Sequence, residues 1–425
     1  MTQKKNPEED LISVAIGRQP IFDAKRRLWG YELFGVGRTA TTGAGLPEEA
    51  DVAASVASSA YMGLQHVLDR GKKVFVNFNE KSILDNLPYA LPPVLVAVKV
   101  EEHLYKRSSV AELLHRLKSD GYLIAVAGFS GDPVCDPLYR LADIIGIEVA
   151  HQTRDALAAP LASARSYRAL LLASRVEDPR RLKLCQELGF SLFHGAFFKS
   201  PDKITIRKLS SHEVSRLSLL QSIEKDEPDM GQLAEAIQAD VSISFRLLAY
   251  LNSAAFGFPQ KIRSIQHALA LLGWRQMKNW LRVVLLADMS QSQEAYELVW
   301  LSAQRGKFLE LITREHDFWG FDPESLNLLG LFSLLDTLLG SPMTEIVSYL
   351  PLDHKLKAAL CREPNNEYLR LLELAQYFEE GRWVEGEKTI QQLNLDSHKV
   401  KAAFQISLNW TTDLAALHSA PPGGD

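Results

Sequence analysis

Only three cysteines, Cys135, Cys185 and Cys361, occur in 425 residues; they lie far apart, with no Cys-x-x-Cys pair. That spacing argues against a disulfide framework or a thiolate zinc site, and reads as small buried groups in a reducing compartment. No apolar run reaches the roughly 18 to 20 residues that a membrane-spanning helix needs. The stretch Met1–Ser13 has no apolar run behind its lysines, so no signal peptide is read there. A glycine-rich phosphate loop, a Gly-x-Ser-x-Gly elbow and a His-Glu-x-x-His motif are all lacking. So is an excess of positive charge: the net charge of −5 argues against a large nucleic-acid footprint. What is present is a chain 46% hydrophobic and 23% charged, which is a globular composition. Its length predicts two or three domains, and the whole reads as a cytoplasmic protein.

Two periodicities divide the chain. Up to about residue 205, short β-type runs alternate with helical stretches. The runs are Val74–Phe78, Val94–Val100, Tyr122–Val126, Ile144–Ile147, Ala169–Ala173 and Ser191–Phe193. Helical patterns over Asp51–Asp69, Val110–Lys118 and Pro179–Leu188 separate them. Strands apolar on both faces and spaced by helices predict a mostly parallel sheet, and this many units predict a (β/α) barrel. Beyond residue 205 the strand signal stops. Met230–Ala239, Phe245–Asn252, Ser264–Leu272, Gln276–Ala287, Glu294–Thr313, Leu326–Leu339 and Lys355–Leu374 carry apolar residues at helical spacing. The expected organisation is a barrel over 1–205, an all-α domain over 206–410 and a frayed tail over 411–425, with Lys199–Lys203 as the linker. Trp274, Trp280 and Trp300 read as core.

The first half resembles the EAL family, TIM-barrel phosphodiesterases that cleave cyclic di-GMP with two divalent metals. The resemblance rests on Gly17–Asp23, Gly30–Phe34, Val76–Phe78, Ala142–Ile145, Val176–Asp178, Leu188–Phe190 and His194–Gly195. The second half resembles the HDOD domain, a helical output module related to HD phosphohydrolases. There the signature is Ala239–Ser242, Leu247–Leu248, Asn252–Ala254, Ile262–Ile265 and Leu271–Gly273. The implied fold is a TIM-like α/β barrel followed by an all-α HDOD domain, as in bacterial EAL–HDOD signalling proteins.

The EAL resemblance implies a set of metal-binding carboxylates, and several of those positions hold something else. Glu32 and Asn77 match. The next expected glutamate falls at Lys99, the aspartate pair at Ala127-Gly128, and the later lysine and aspartate at Gly146 and Glu148. A loop glutamate becomes Ser174 although Glu177 remains, a glutamine becomes His194, and a phosphate-gripping arginine becomes Val36. Replacing a carboxylate by an ammonium at close range costs several kcal/mol in cation binding, even at an effective dielectric near roughly 20. A neighbour such as Glu101 or Glu102 could stand in for one loss, not for all; no metal site and no cofactor are expected. Gln19, which helps hold the dinucleotide in the resembled family, remains, as a ligand contact or a polar tie between strands. Gln19, Glu32, Asn77, Lys99, Glu148, Glu177 and His194 are therefore the candidate remnant ligand-binding residues, and a Glu32–Lys99 salt bridge is expected among them.

In the second half, the family's His-Asp position falls near Ser333-Leu334. The literal His316-Asp317 pair ends a helical stretch and reads as coincidence, and His267, His354 and His398 have no partner pattern. The expectation is a non-catalytic signalling protein that works through protein partners, downstream of cyclic di-GMP or two-component pathways in motility, biofilm or virulence control. Two alternatives stay open: a receptor that binds cyclic di-GMP weakly without cleaving it, and a residual phosphodiesterase. A homodimer also stays open.

Overall fold

The computed structural model describes residues 15–36, 72–199, 211–224, 273–289, 293–316, 320–350 and 352–416. Eight strands form a closed barrel in chain order: β1 (Ala15–Asp23), β2 (Leu28–Val36), β3 (Lys73–Asn77), β4 (Val96–Glu101), β5 (Leu123–Ala127), β6 (Ile144–Glu148), β7 (Leu170–Ser174) and β8 (Leu192–His194). All neighbouring pairs from β2 to β8 are parallel, whereas β1 runs antiparallel to both β2 and β8. The helices between the strands are α1 (Glu80–Leu84), α2 (Ser108–Ser119), α3 (Asp136–Leu141), α4 (Arg154–Ala164) and α5 (Pro179–Glu187). α5 starts where expected because Asp178 accepts the Arg181 N–H and Pro179 presets the first turn.

Strand residues alternate between two cores. Ile21, Phe75, Ala97, Ala125, Ile144, Leu172 and Leu192, one from each of seven strands, fill the barrel interior. Their neighbours, among them Val74, Val98, Ile124, Ile145 and Phe193, pack outward into the larger core. This two-faced burial is why the strands read as unbroken apolar runs.

The second half is helical: α6 (Ser211–Ile223), α7 (Trp274–Asp288), α8 (Gln293–Glu315), α9 (Pro323–Phe332), α10 (Leu335–Leu339), α11 (Met343–Ile346), α12 (His354–Leu360), α13 (Glu367–Glu379), α14 (Trp383–Gln392) and α15 (Ser397–Ala416). α8 is buried along most of its 23 residues, its polar side chains included. α9 crosses it where Gly306 meets Gly330: a Cβ on Gly330 would lie 2.4 Å from the Gly306 nitrogen.

Four expectations need correction. β4 begins at Val96, because Leu95 and Val96 donate their N–H groups to the Pro92 carbonyl in a turn that leaves Val94 exposed. The helix expected over Leu326–Leu339 is two helices, parted at Ser333-Leu334, where the Ser333 hydroxyl bonds the Gly330 carbonyl. That over Lys355–Leu374 is also two, broken around Pro364 with Arg362 and Asn365 left-handed. The tail does not fray from residue 411, since α15 runs through Ala416 and Thr411 is buried, its carbonyl accepting the Trp300 indole N–H at 3.2 Å. Helices α14 and α15 had drawn no expectation.

Several expectations lie outside the described residues: the helices over 51–69, 230–239, 245–252 and 264–272, the linker beyond Lys199, His267, Asp317 and the side chain of Trp280. Among the described residues no single helix is long and apolar enough to cross a membrane.

Gly330→Ala is expected to lower stability by about 1–3 kcal/mol, read from the urea midpoint. Helix propensity alone would predict a gain of about 1 kcal/mol, so the sign separates backbone contact from propensity.

Candidate functional site

At the strands' C-terminal ends the apolar barrel interior gives way to polar side chains. Asn77 and His194 are the last residues of β3 and β8, and Lys99 pairs with Asn77 across β3–β4. Glu32 lies opposite Gln19 in the β1–β2 ladder. Register thus brings four of the seven candidates together.

The Lys99 ammonium sits 2.6 Å from Glu32 Oε1, so the expected salt bridge is formed. Asn77 Nδ2 donates to the same oxygen at 3.3 Å, and His194 Nδ1 lies 3.5 Å from Oε2. Glu32 is only 9% exposed. Burial pushes its carboxyl pKa up, but the Lys99 charge, His194 and the hydrogen bonds outweigh that and hold it at about 2. Burial pushes the His194 pKa down despite Glu32. The imidazole is therefore neutral at pH 7, and Lys99 is the charge that counts. Two buried atoms, Glu32 Oε2 and His194 Nε2, have no hydrogen-bond partner among the described residues.

The other three candidates go elsewhere. Gln19 Nε2 donates to the Glu379 carbonyl at 3.1 Å, tying β1 to the end of α13. Glu148 and Glu177 are exposed at the rim, where Arg175 lies 2.8 Å from one and 3.7 Å from the other. Val36 closes β2 opposite Ala15.

A pair of divalent cations does not fit these residues. The one buried carboxylate already carries an ammonium, and Ala127, Gly128 and Gly146 offer no donor side chain. Gly128 is left-handed (φ 71°), a conformation that disfavours an aspartate, and a Cβ there would stand 2.8 Å from Glu101 Oε2, which would have to swing aside. Glu102 is engaged with the Ser130 N–H and the Tyr139 hydroxyl. Among the described residues no three His, Cys, Asp or Glu side chains are placed to hold a metal ion.

The junction with the helical half went unread in the sequence. Arg18 is stacked between the rings of Tyr31 and Trp300, 4.5 and 4.2 Å from their centroids, with Glu297 at 3.8 Å. The Tyr31 hydroxyl donates to Glu297 at 2.7 Å, Arg26 pairs with Glu294 at 2.6 Å, and Gln293 accepts the Leu28 N–H. Glu379, 5% exposed, takes Arg305 as a two-pronged partner at 2.7 and 2.8 Å and Lys199 at 3.4 Å. Trp300 is buried as expected, yet it also serves this junction. No local pattern could signal contacts between residues some 280 positions apart.

Elsewhere in the helical half, both ring nitrogens of His316 are used, Nδ1 at the Ile312 carbonyl and Nε2 at the Asp396 N–H. Ser333 accepts from Arg305 at 2.6 Å. Cys135 and Cys185 are buried, and burial pushes the Cys185 thiol up to about 11; Cys361 is half-buried.

Residues 209–346 match the model of the HDOD domain. The chain is 30% identical to Bacillus subtilis YuxH, described as uncharacterised, over 95% of this chain and 99% of that one. It is 28% identical to the cyclic di-GMP phosphodiesterase CdgJ of Vibrio cholerae, over 98% and 96%. Among solved structures, an EAL domain protein of Listeria monocytogenes is 16% identical, over 44% of this chain and 87% of that one, with a TM-score of 0.36.

Lys99→Met is expected to cost about 3–5 kcal/mol at pH 7, because it strands a buried carboxylate. Since the folded pKa of Glu32 lies below its ordinary 4.5, its share of stability is present above pH 4.5 and lost as pH falls towards 2. In the variant Glu32 protonates at a higher pH, so urea unfolding should show the gap from wild type narrowing between pH 7 and pH 4. A Glu32→Gln/Lys99→Met double variant should recover most of the loss.

Proposed function

This chain belongs to the EAL–HDOD family of bacterial proteins, and from that premise we propose a cytoplasmic signalling protein that hydrolyses no cyclic di-GMP and acts through contact with protein partners. The observation that carries the reading is the Lys99 ammonium 2.6 Å from Glu32. A two-metal phosphodiesterase activates water with cations held by converging carboxylates. Here the converging groups are one carboxylate, one ammonium, an amide and a neutral imidazole, an arrangement already close to charge balance. A cation entering it would meet the Lys99 ammonium and find Glu32 as its one carboxylate.

The barrel, taken as residues 1–205, would then serve as a regulatory and docking module, and the helical domain, 206–410, as output. The buried Arg18, Tyr31, Glu297 and Trp300 contacts between them support a single signalling unit. Its partner would be a component of a cyclic di-GMP or two-component pathway.

Two observations favour other readings. The name of the Vibrio cholerae relative favours hydrolysis. The orphaned atoms Glu32 Oε2 and His194 Nε2 favour a receptor that binds the dinucleotide without cleaving it.

One set of measurements on the purified full-length protein separates the three. Incubation of cyclic di-GMP with the protein and Mg²⁺ or Mn²⁺ should give no linear product; turnover abolished by Glu32→Ala would sink the proposal. Calorimetric titration should show no binding tighter than about 10 μM, roughly 7 kcal/mol; a tighter constant without turnover would establish the receptor.

A further inference from the structure

The two halves touch along two edges of different character. The first is the outer side of β1–β2 against α8: the Arg18 sandwich, the Tyr31–Glu297 bond, the Leu28–Gln293 bond and the Arg26–Glu294 pair. It is aromatic and largely buried. The second lies at the barrel mouth and is thin. Lys199, at the end of the short 3₁₀ turn after β8, reaches Glu379 at 3.4 Å and Glu380 at 3.5 Å, and its carbonyl accepts the Thr337 hydroxyl at 2.9 Å. The Gln19 amide bonds the Glu379 carbonyl beside it.

Around this second edge the packing between the halves is interrupted, with the Phe34 and Trp383 rings 6.2 Å apart beside it. Two clefts, of about 170 and 540 Å³, open between barrel loops and helices, and Arg175, Glu177, Ala196, Lys199, Glu380 and Arg382 line both; the smaller one extends to Arg18, Glu297 and Trp300 of the first edge. The Lys199–Glu379/Glu380 contact therefore stands as a strut between two openings. The other charges there are mostly satisfied within their own half, Arg175 by Glu148 and Glu177, Arg382 by Glu380 and Glu385. They do not bind the halves to each other.

We propose that the helical half is a lid on the barrel mouth, hinged along β1–β2 and α8 and latched by the Lys199–Glu379/Glu380 strut. Releasing the strut merges the two clefts and frees the Gln19 amide, so the mouth is reached by parting the halves on this side while the aromatic edge holds. Glu379 has a reason to let go: after release it keeps its two-pronged Arg305 partner and leaves no stranded buried charge. The device is independent of what the mouth receives, and so of the functional reading above.

Hydrogen exchange of the intact chain, read by mass spectrometry, tests this edge by edge. In Lys199→Met at 0.1 M NaCl, exchange in peptides covering 380–392 and 175–178 should rise about fivefold, the scale of one ion pair, while 17–33 and 297–312 stay unchanged. Wild type moved from 0.1 to 1 M NaCl should show a smaller rise at the mouth than the variant, because Lys199 and Glu379 are too buried for full screening, with 297–312 again unchanged. No rise at the mouth, or an equal rise on both edges, overturns the lid. If the variant does not fold, the wild-type salt series decides alone.

Discussion

A carboxylate withdrawn from water must meet a cation or a set of donors, and the folded chain is arranged around a few places where this happens. Glu32 meets Lys99 inside the barrel, Glu379 meets Arg305 and Lys199 at the junction, and Glu310 meets Lys307 and Arg314 on α8. Arg282, 1% exposed, is held between Glu224 and Glu324 and ties α6 and α9 to α7. Apolar burial supplies the bulk of the driving force but is tolerant of small shifts. Paired charges in a dry interior are not, and they fix which elements face which.

The same constraint accounts for the state of the barrel mouth. Once Lys99 stands against Glu32, the surrounding positions need no further anions, and Ala127, Gly128 and Gly146 supply none. The Glu101 carboxylate lies over Gly128, 2.8 Å from where a Cβ would stand. The mouth is balanced by the chain's own groups.

Much of the barrel was legible because β3 and β5 to β7 are buried on both faces, so their apolar runs are unbroken. β1 and β2, with Arg18, Gln19 and Glu32 inside them, show no such run. The Glu32–Lys99 contact was legible too, since family resemblance placed both residues at one site and their charges oppose. Glu148 and Glu177 keep carboxylates but lie at the exposed rim with Arg175, a placement their sequence pattern does not record. The helix breaks at Ser333 and near Pro364 were obscured by apolar spacing that continues across them. The junction was illegible for a deeper reason. Arg18, Tyr31 and Lys199 meet α8 and α13 through single side chains, and no periodicity records such a meeting.

The crossing of Gly306 and Gly330 has its own consequence. Where two helices touch backbone to backbone, neither can slide by a residue without driving a side chain into the gap, so the crossing works as a detent that fixes their register. α8 carries Glu297 towards the barrel, Arg305 beside Glu379 and Glu310 near Asn327 of α9. Glu297, Arg305 and Glu310 of α8 are therefore held in one register with Asn327 of α9.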